Sequence, residues 1–334
     1  LRQRITLLLV LLLSVLVIAA CGSQSKEDVL KDLSNKWGNV NGYELDATME
    51  IKTGSEPRVY DVNVWHTKPD FYRVKVTQQG EDVTQMIIRN KEGVFVVTPS
   101  LRKTYKFQSE WPKQNSQAYL IGALGEDLLA DANVTMEEDE NNYIFQAATR
   151  NNHKSVMPSQ VITVDKKTKL PKTVSVLNEA GEEQLLITFS KIDLGTQHKE
   201  EEFKVDNFAE ENSSTTGSVE EQEFQVHYPN IQWEGTALVD EKKIVEDGTE
   251  RVILTFEGEK AFTLMEQPIV YDAESTVPVF APGDPADLGF TIGAITDNSI
   301  SWEQNGVSFF LATNNLTREE MIEVASSVIP GGLK

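Results

Sequence analysis

Val62-Asn63-Val64-Trp65-His66-Thr67-Lys68-Pro69-Asp70-Phe71-Tyr72-Arg73-Val74-Lys75-Val76 is the stretch that decides the fold. Val62, Val64 and His66 recur at every second position, and so do Tyr72, Val74 and Val76 opposite Arg73 and Lys75. A period of two sends successive side chains to opposite faces of a pleated strand, so each half predicts a strand with one covered face. The same period sets in at Tyr43 and continues through Thr84, Met86 and Ile88, which predicts a run of antiparallel strands.

Asn90-Lys91-Glu92-Gly93 then turns the chain into Val94-Phe95-Val96-Val97, an apolar run without alternation that predicts cover on both faces. The expected cover on the concave side is the stretch after Pro112, where Tyr119, Leu120, Ala123, Leu124, Asp127 and Leu128 mark a helix. That helix carries Gly122 and Gly125. A glycine inside a helix costs about 1 kcal/mol relative to alanine, so the element reads either as a movable lid or as a plain packed helix. Strands resume at Tyr143-Ile144-Phe145, Val161-Ile162-Thr163-Val164, Val174-Ser175-Val176 and Leu185-Leu186-Ile187-Thr188-Phe189, giving a large, curved antiparallel sheet. Upstream, Ser25 with Asp28 caps a helix whose Val29, Leu30, Leu33 and Trp37 fall at helical spacing.

The strand pattern stops near Asp206, and residues 207–219 are too polar to build a core, so a linker is placed there. With 334 residues two domains are expected: 21–206, and a smaller α+β unit at 220–334 that should fold alone. In the second unit Trp302 and Val307 flank an Asn305-Gly306 hairpin turn, and Thr317 with Glu320 caps a closing amphipathic helix. Its aromatic set is Phe224, Tyr228, Trp233, Phe256, Phe262, Trp302, Phe309 and Phe310.

At the other end, Arg2 and Arg4 precede the apolar run Ile5 to Ala20. A membrane-spanning helix needs about 20 apolar residues, and this run is shorter, so residues 1–20 read as a signal peptide. Ile18-Ala19-Ala20-Cys21 resembles a bacterial lipobox. That resemblance implies that Cys21 carries a diacylglyceryl group and that the membrane is a partner through it; two or three acyl chains at ~0.8 kcal/mol per buried methylene make a durable anchor. Cys21 is the only cysteine, which removes disulfides, cysteine-rich zinc sites and thiol nucleophiles.

The chain has a net charge of −21, and loss of residues 1–20 removes two arginines and no acids, leaving −23. Nucleic acid is excluded as a partner, because phosphate binding needs a basic stripe. Attachment to a membrane should rest on the lipid, since anionic headgroups repel an acidic body. His66, His153, His198 and His227 lie far apart, and no HExxH, GxSxG, SxxK, P-loop or GxGxxG motif is present. Glu137-Glu138-Asp139-Glu140 and Glu200-Glu201-Glu202 lack the alternating oxygens and central glycine of a calcium loop. No catalytic residue, metal site or cofactor is assigned, and no enzyme is expected.

Trp65-His66-Thr67-Lys68-Pro69-Asp70-Phe71-Tyr72-Arg73, the strand pair Asn90 to Pro99, and Asp193-Leu194-Gly195 with Phe203-Lys204-Val205 resemble in order and spacing the LolA-like lipoprotein carriers, over Lys26 to Asp206. The whole layout resembles the YdcC-like sporulation lipoproteins of Bacillus and, more distantly, the GerS-like germination lipoproteins of clostridia. The resemblance implies an α+β fold of the LolA/LppX kind, an incomplete antiparallel barrel closed by helices over an apolar cavity for acyl chains. It makes Trp65, Phe71, Tyr72, Phe95, Val96 and Tyr105 candidates for the cavity wall, though each also reads as plain core. Tyr119, Leu120, Leu124 and Leu128 become lid candidates. Lys68 stands where the carriers have an arginine that latches the lid; lysine lacks the planar fork, and an ordinary exposed lysine is the other reading. Cargo would be an acyl chain or a lipoprotein's lipid, on the outer face of the cytoplasmic membrane of a Gram-positive cell or on its sporulation membranes. The alternative is a non-catalytic scaffold that supports an envelope or cortex enzyme.

Overall fold

The computed structural model describes residues 24–52, 57–80, 84–99, 103–107, 117–150, 157–206, 225–231, 233–246, 248–269, 278–304 and 306–330. Cys21 and the segment 1–20, the linker 207–219, His153, Phe224 and Asn305 lie outside the described residues. Among the described residues no helix is long and apolar enough to cross a membrane.

Ser25 opens the fold. Its hydroxyl accepts the Asp28 amide at 3.2 Å, satisfying a donor that helix geometry leaves free. Helix α1 (Lys26–Gly38) follows, with Val29, Leu33 and Trp37 buried as the spacing predicted. An antiparallel meander comes next: β1 (Gly42–Ile51), β2 (Arg58–Thr67), β3 (Phe71–Gln78), β4 (Thr84–Asn90), β5 (Gly93–Thr98) and β6 (Lys103–Phe107). After α2 (Ile121–Ala130) a second meander runs through β7 (Thr135–Glu138), β8 (Asn142–Ala148), β9 (Ser159–Asp165), β10 (Pro171–Leu177) and β11 (Glu183–Leu194). β1 pairs with β2 on one side and β11 on the other, so the two meanders share a central strand and form one sheet. Its order is β6-β5-β4-β3-β2-β1-β11-β10-β9-β8-β7. The end strands do not pair with each other, so the barrel is incomplete.

Register sets the two faces. Leu45 lies opposite Val64 and Ala47 opposite Val62, so the period-two stripes of β1 and β2 meet on one face and bury against α1 and α2. We call this the inner face. Beyond Leu194 the chain crosses the outer face as a strap that ends in a single turn of 3-10 helix, Glu200–Phe203, packed on β3 and β4. Under it Met86, Ile88, Phe95 and Val97 form a second small apolar cluster, packed by Trp65 and Val205. The strap is the outer half of the cover that the unbroken Val94 to Val97 run predicted.

The C-terminal part builds a seven-stranded sheet of order β13-β14-β15-β20-β19-β18-β17. Its strands are β13 (Thr236–Glu246), β14 (Thr249–Gly258), β15 (Phe262–Pro268), β17 (Asp284–Asp287), β18 (Ile292–Ile295), β19 (Ser299–Gln304) and β20 (Val307–Ala312). β12 (His227–Pro229) and β21 (Val328–Pro330) form a ribbon beside it, and α3 (Arg318–Ser327) packs on β19 and β12. Thr317 and Glu320 cap α3 reciprocally, at 3.2 and 2.8 Å, as the sequence predicted. The β19–β20 hairpin pairs Gln304 with Val307, and Gly306 takes a φ of +74°, the left-handed conformation a two-residue loop demands. β16 (Val279–Phe280) leaves this unit and adds in parallel to β6, becoming the twelfth strand of the first sheet. The apolar core runs through both parts without a break.

A buried acid ties the ribbon to the sheet. Glu266 on β15 is fully buried; its carboxylate accepts the His227 backbone amide at 2.9 and 3.1 Å and lies 3.1 Å from the His227 Nδ1. Burial pushes the Glu266 carboxyl above its usual range, and the hydrogen bonds from His227 pull it only part of the way back. A raised folded-state pKa contributes stability at low pH that is lost as pH rises through that value. Glu266→Gln keeps an acceptor and removes the ionisation. The variant should therefore gain on the wild type as pH rises from 4.5 towards about 7, by a few degrees in melting temperature. Thermal scans at both pH values check this, and a gap that narrows contradicts it.

For the division at residues 207–219, we propose two units that fold separately. Residues 22–206 and 220–334, expressed apart, should each melt in one cooperative step by circular dichroism. An unfolded tail that orders only on adding the first part would make it a piece of a single core.

Candidate functional site

The six residues expected in a cavity wall divide between the two faces. Tyr72, Val96 and Tyr105 belong to the inner face: Tyr72 stacks on His66 at 4.2 Å beside Tyr43, while Val96 and Tyr105 join the helix-covered core. Trp65, Phe71 and Phe95 belong to the outer face. Trp65 is sandwiched between the Arg73 guanidinium at 4.1 Å and the His198 ring at 3.9 Å, Phe71 packs on Phe203 at 5.4 Å, and Phe95 sits in the small cluster under the strap. The inner wall is instead completed by Leu45, Met49, Val62, Val64, Val74 and Ile87.

The helices over this wall are firmly tied. Tyr119, Leu124 and Leu128 are buried and Leu120 packs against the core from its edge. Gly125 faces Trp37 across the contact between α1 and α2, and a Cβ there would stand 3.4 Å from the Trp37 ring, an ordinary van der Waals contact, so an alanine fits at this position. Trp37 Nε1 donates to the Lys169 carbonyl at 2.9 Å, and Lys26 Nζ to the Val134 carbonyl at 2.9 Å. On α2 the buried carboxylate of Asp127 accepts from Arg150 Nε at 2.6 Å and Gln160 Nε2 at 2.7 Å. Lys68 also holds a helix, though its partner is α1. Its Nζ donates to the Gly38 carbonyl at 2.9 Å, where an ammonium satisfies a free carbonyl and complements the negative end of the helix dipole.

The inner face is uncharged over most of its extent. Burial pushes the Tyr43 and Tyr119 phenols well above their usual range and Tyr72 up to about 12. Burial raises Tyr105 too, with Glu303 adding to it, and lowers His66. These groups are neutral hydrogen-bonding side chains, suited to an apolar chamber. Among the described residues no three acidic, histidine or cysteine side chains lie close enough to hold a metal ion.

One end of the inner face is covered by the C-terminal sheet. There Tyr60, Val76, Gln78 and Gln85 share a recess with Phe290, Glu303 and Gln304. The recess has about 20 Å³ of free volume, enough for a water molecule. Glu303 Oε1 accepts from Tyr105 at 2.6 Å and Lys103 at 3.1 Å, and Gln85 Nε2 reaches the Glu303 carbonyl at 3.4 Å. Gln85 Oε1, Glu303 Oε2 and both amide atoms of Gln304 are buried without a hydrogen-bond partner. So are all three guanidinium nitrogens of Arg58, which lies 5.2 Å from the Phe290 ring centroid. Each unmet buried group costs about 1–3 kcal/mol, more for a charge, while a cation–π contact returns only about 0.5–2 kcal/mol. The contact with Phe290 does not balance the loss.

Sequence reasoning missed this junction, because no motif marks it. The available signal was phase: Arg58 falls in step with Tyr60, Val62 and Val64, which places a charge at an inner position of β2.

With the geometry in place, the comparisons give the chain its relatives. The family model "Sporulation protein YdcC-like" matches residues 2–203. The sporulation protein YdcC of Bacillus subtilis is 37% identical over 329 residues, covering 98% of this chain and 97% of that protein. Among solved structures, the LolA superfamily protein NE2245 of Nitrosomonas europaea is 11% identical with a TM-score of 0.33, over 55% of this chain and all of that one. The Clostridioides difficile CwlD amidase in complex with the GerS lipoprotein is matched at 16% identity and a TM-score of 0.23, over 53% of this chain and 98% of the matched one. On the family match and the near full-length identity, the chain belongs to the YdcC-like family of sporulation proteins.

Proposed function

We propose that this chain is an envelope lipoprotein of sporulating cells, anchored through a diacylglyceryl group on Cys21 at the outer face of the cytoplasmic membrane, whose half-barrel shelters an acyl chain or a lipoprotein's lipid. The observation that carries the reading is the apolar inner face of an open sheet, roofed by parts of the chain distant from it in sequence. Such a face is hidden by a cover or by a ligand with equal physical sense. An acyl chain of fifteen methylenes would gain about 12 kcal/mol gross at ~0.8 kcal/mol each, offset in large part by displacing the cover and ordering the ligand. No catalytic role is assigned.

A second reading, a scaffold that supports an envelope or cortex enzyme, is favoured by the way α1 and α2 pack on the inner face among the described residues, and by the small size of the junction recess. Ligand pockets usually enclose about 300 Å³ or more, against about 20 Å³ in the junction recess. Under the first reading, uptake therefore requires the cover to move.

Native mass spectrometry of residues 22–334 separates the two. Co-purified acyl lipid is expected; clean protein that co-elutes with a tight protein partner supports the scaffold. Cys21→Ser should abolish palmitate labelling, and a variant that still labels removes the anchor from the account. Val96→Trp, which fills the inner face at an overpacking cost of about 1–3 kcal/mol, should cut binding of a fluorescent fatty acid. Phe95→Trp, on the outer face, should leave binding unchanged in a folded protein. Equal effects of the two would contradict an inner-face site.

A further inference from the structure

We propose that Arg58 is the headgroup-recognition residue of this site, and that the ligand is an acyl chain bearing a carboxylate or phosphate, admitted where the C-terminal sheet lifts from the inner face. The inference rests on the acyl-chain reading and adds to it the ligand's charge, the residue that meets that charge and the route of entry.

The first support is the state of Arg58. A guanidinium stays charged at every physiological pH and presents a planar fork of donors that matches a carboxylate or phosphate in two-point contact. Here its three nitrogens are buried and donate to nothing. The chain has 52 acidic residues, yet among the described residues none accepts a hydrogen bond from this cation. Glu303, the acid of the neighbouring recess, is engaged through Oε1 by Lys103 and Tyr105, and its unpaired Oε2 makes no hydrogen bond with Arg58. A buried guanidinium whose donors are all free is the chemistry that recognises a carboxylate or phosphate.

The second support is position. Arg58 begins β2 and lies in phase with Val62 and Val64, so the apolar stripe runs from its side chain along the inner face. The unpaired Gln304 amide offers another donor at the same junction. A polar head at one end and an apolar track leading from it describe an amphiphile with one charged end.

The third support is the difference between the two covers. The helices are held by the Asp127, Trp37 and Lys68 hydrogen bonds, each with both partners satisfied. The C-terminal sheet meets the inner face through a mixture of paired and unpaired groups, Glu303 Oε1 bonded to Tyr105 and Lys103 while Arg58, Gln304, Gln85 Oε1 and Glu303 Oε2 are unmet, and it joins the first sheet through the two-residue strand β16. Lifting it breaks the Glu303 bonds to Tyr105 and Lys103 but hydrates the orphaned groups, whereas lifting the helices breaks the satisfied bonds of Asp127, Trp37 and Lys68.

The test is calorimetric titration of residues 22–334, wild type and Arg58→Met, with oleate, with the uncharged monooleoylglycerol, and with inorganic phosphate alone. The wild type should bind oleate about tenfold or more tightly than monooleoylglycerol. In Arg58→Met that preference should vanish while monooleoylglycerol binding stays within about twofold, since only the charged contact is removed. Phosphate alone should give no measurable heat. The ligand-free variant should melt above the wild type, because an unpaired buried charge has gone. Equal affinities for the two lipids in the wild type, or a preference that survives in the variant, overturn the inference and leave the acyl-chain reading intact. Phosphate binding as tight as oleate makes the junction a free-anion site and overturns it as well. A variant that melts below the wild type makes Arg58 a structural residue and the recess a plain water site. Failure of either lipid to bind removes the acyl-chain reading itself.

Discussion

The inner stripe of β1, Tyr43 through Leu45, Ala47 and Met49 to Ile51, is buried at every position although the sheet around it never closes on itself. In a closed barrel the opposite strands would hide such a stripe. In an open one it must be roofed, and burial of each large apolar side chain, at about 1.5–3 kcal/mol, provides the drive to recruit a roof from elsewhere in the chain. Helices α1 and α2 and the C-terminal sheet all converge on this requirement. The central position of β1, between β2 and β11, makes it the line along which the two meanders and their covers are aligned.

The two parts of the roof differ in chemistry. Under the helices the polar groups that tie the cover find partners, Asp127 with Arg150 and Gln160, Trp37 with Lys169 and Lys68 with the end of α1, although Tyr43 Oη and the Gln117 amide stay unmet. Under the C-terminal sheet only some do: Glu303 Oε1 is bonded to Tyr105 and Lys103, while Arg58, Gln304, Gln85 Oε1 and Glu303 Oε2 are buried and unmet around a water-sized recess. Native interiors leave few polar groups unsatisfied, and those they leave mark stored strain, a function, or a bound water or ion. These unmet groups and the short strand β16 are the ground on which the C-terminal sheet is proposed as the part of the roof that parts from the wall.

Much of the architecture was legible because it follows from periodicity and capping. The alternation from Tyr43 onward gave the sheet, Ser25 and Thr317 gave the starts of α1 and α3, and Asn305-Gly306 gave the last hairpin. Which way single residues point in the apolar run Val94 to Val97 was not legible, since a strand covered on both faces carries no phase; only pairing with β4 and β6 assigns Val96 inward and Phe95 outward. Contacts between distant segments were likewise hidden. Nothing local announces that Val279 and Phe280 add to β6, that Glu266 is buried against His227, or that Glu303 reaches Tyr105. The family relationship was carried by the order of several weak motifs, whereas the junction around Arg58 has no motif at all.

Hydrogen–deuterium exchange of residues 22–334 with and without oleate tests most directly which part of the roof moves. Oleate should speed exchange of amides in β16 and in the loop before β18 while α1 and α2 keep their protection. Faster exchange in α1 and α2, with β16 unchanged, would contradict it.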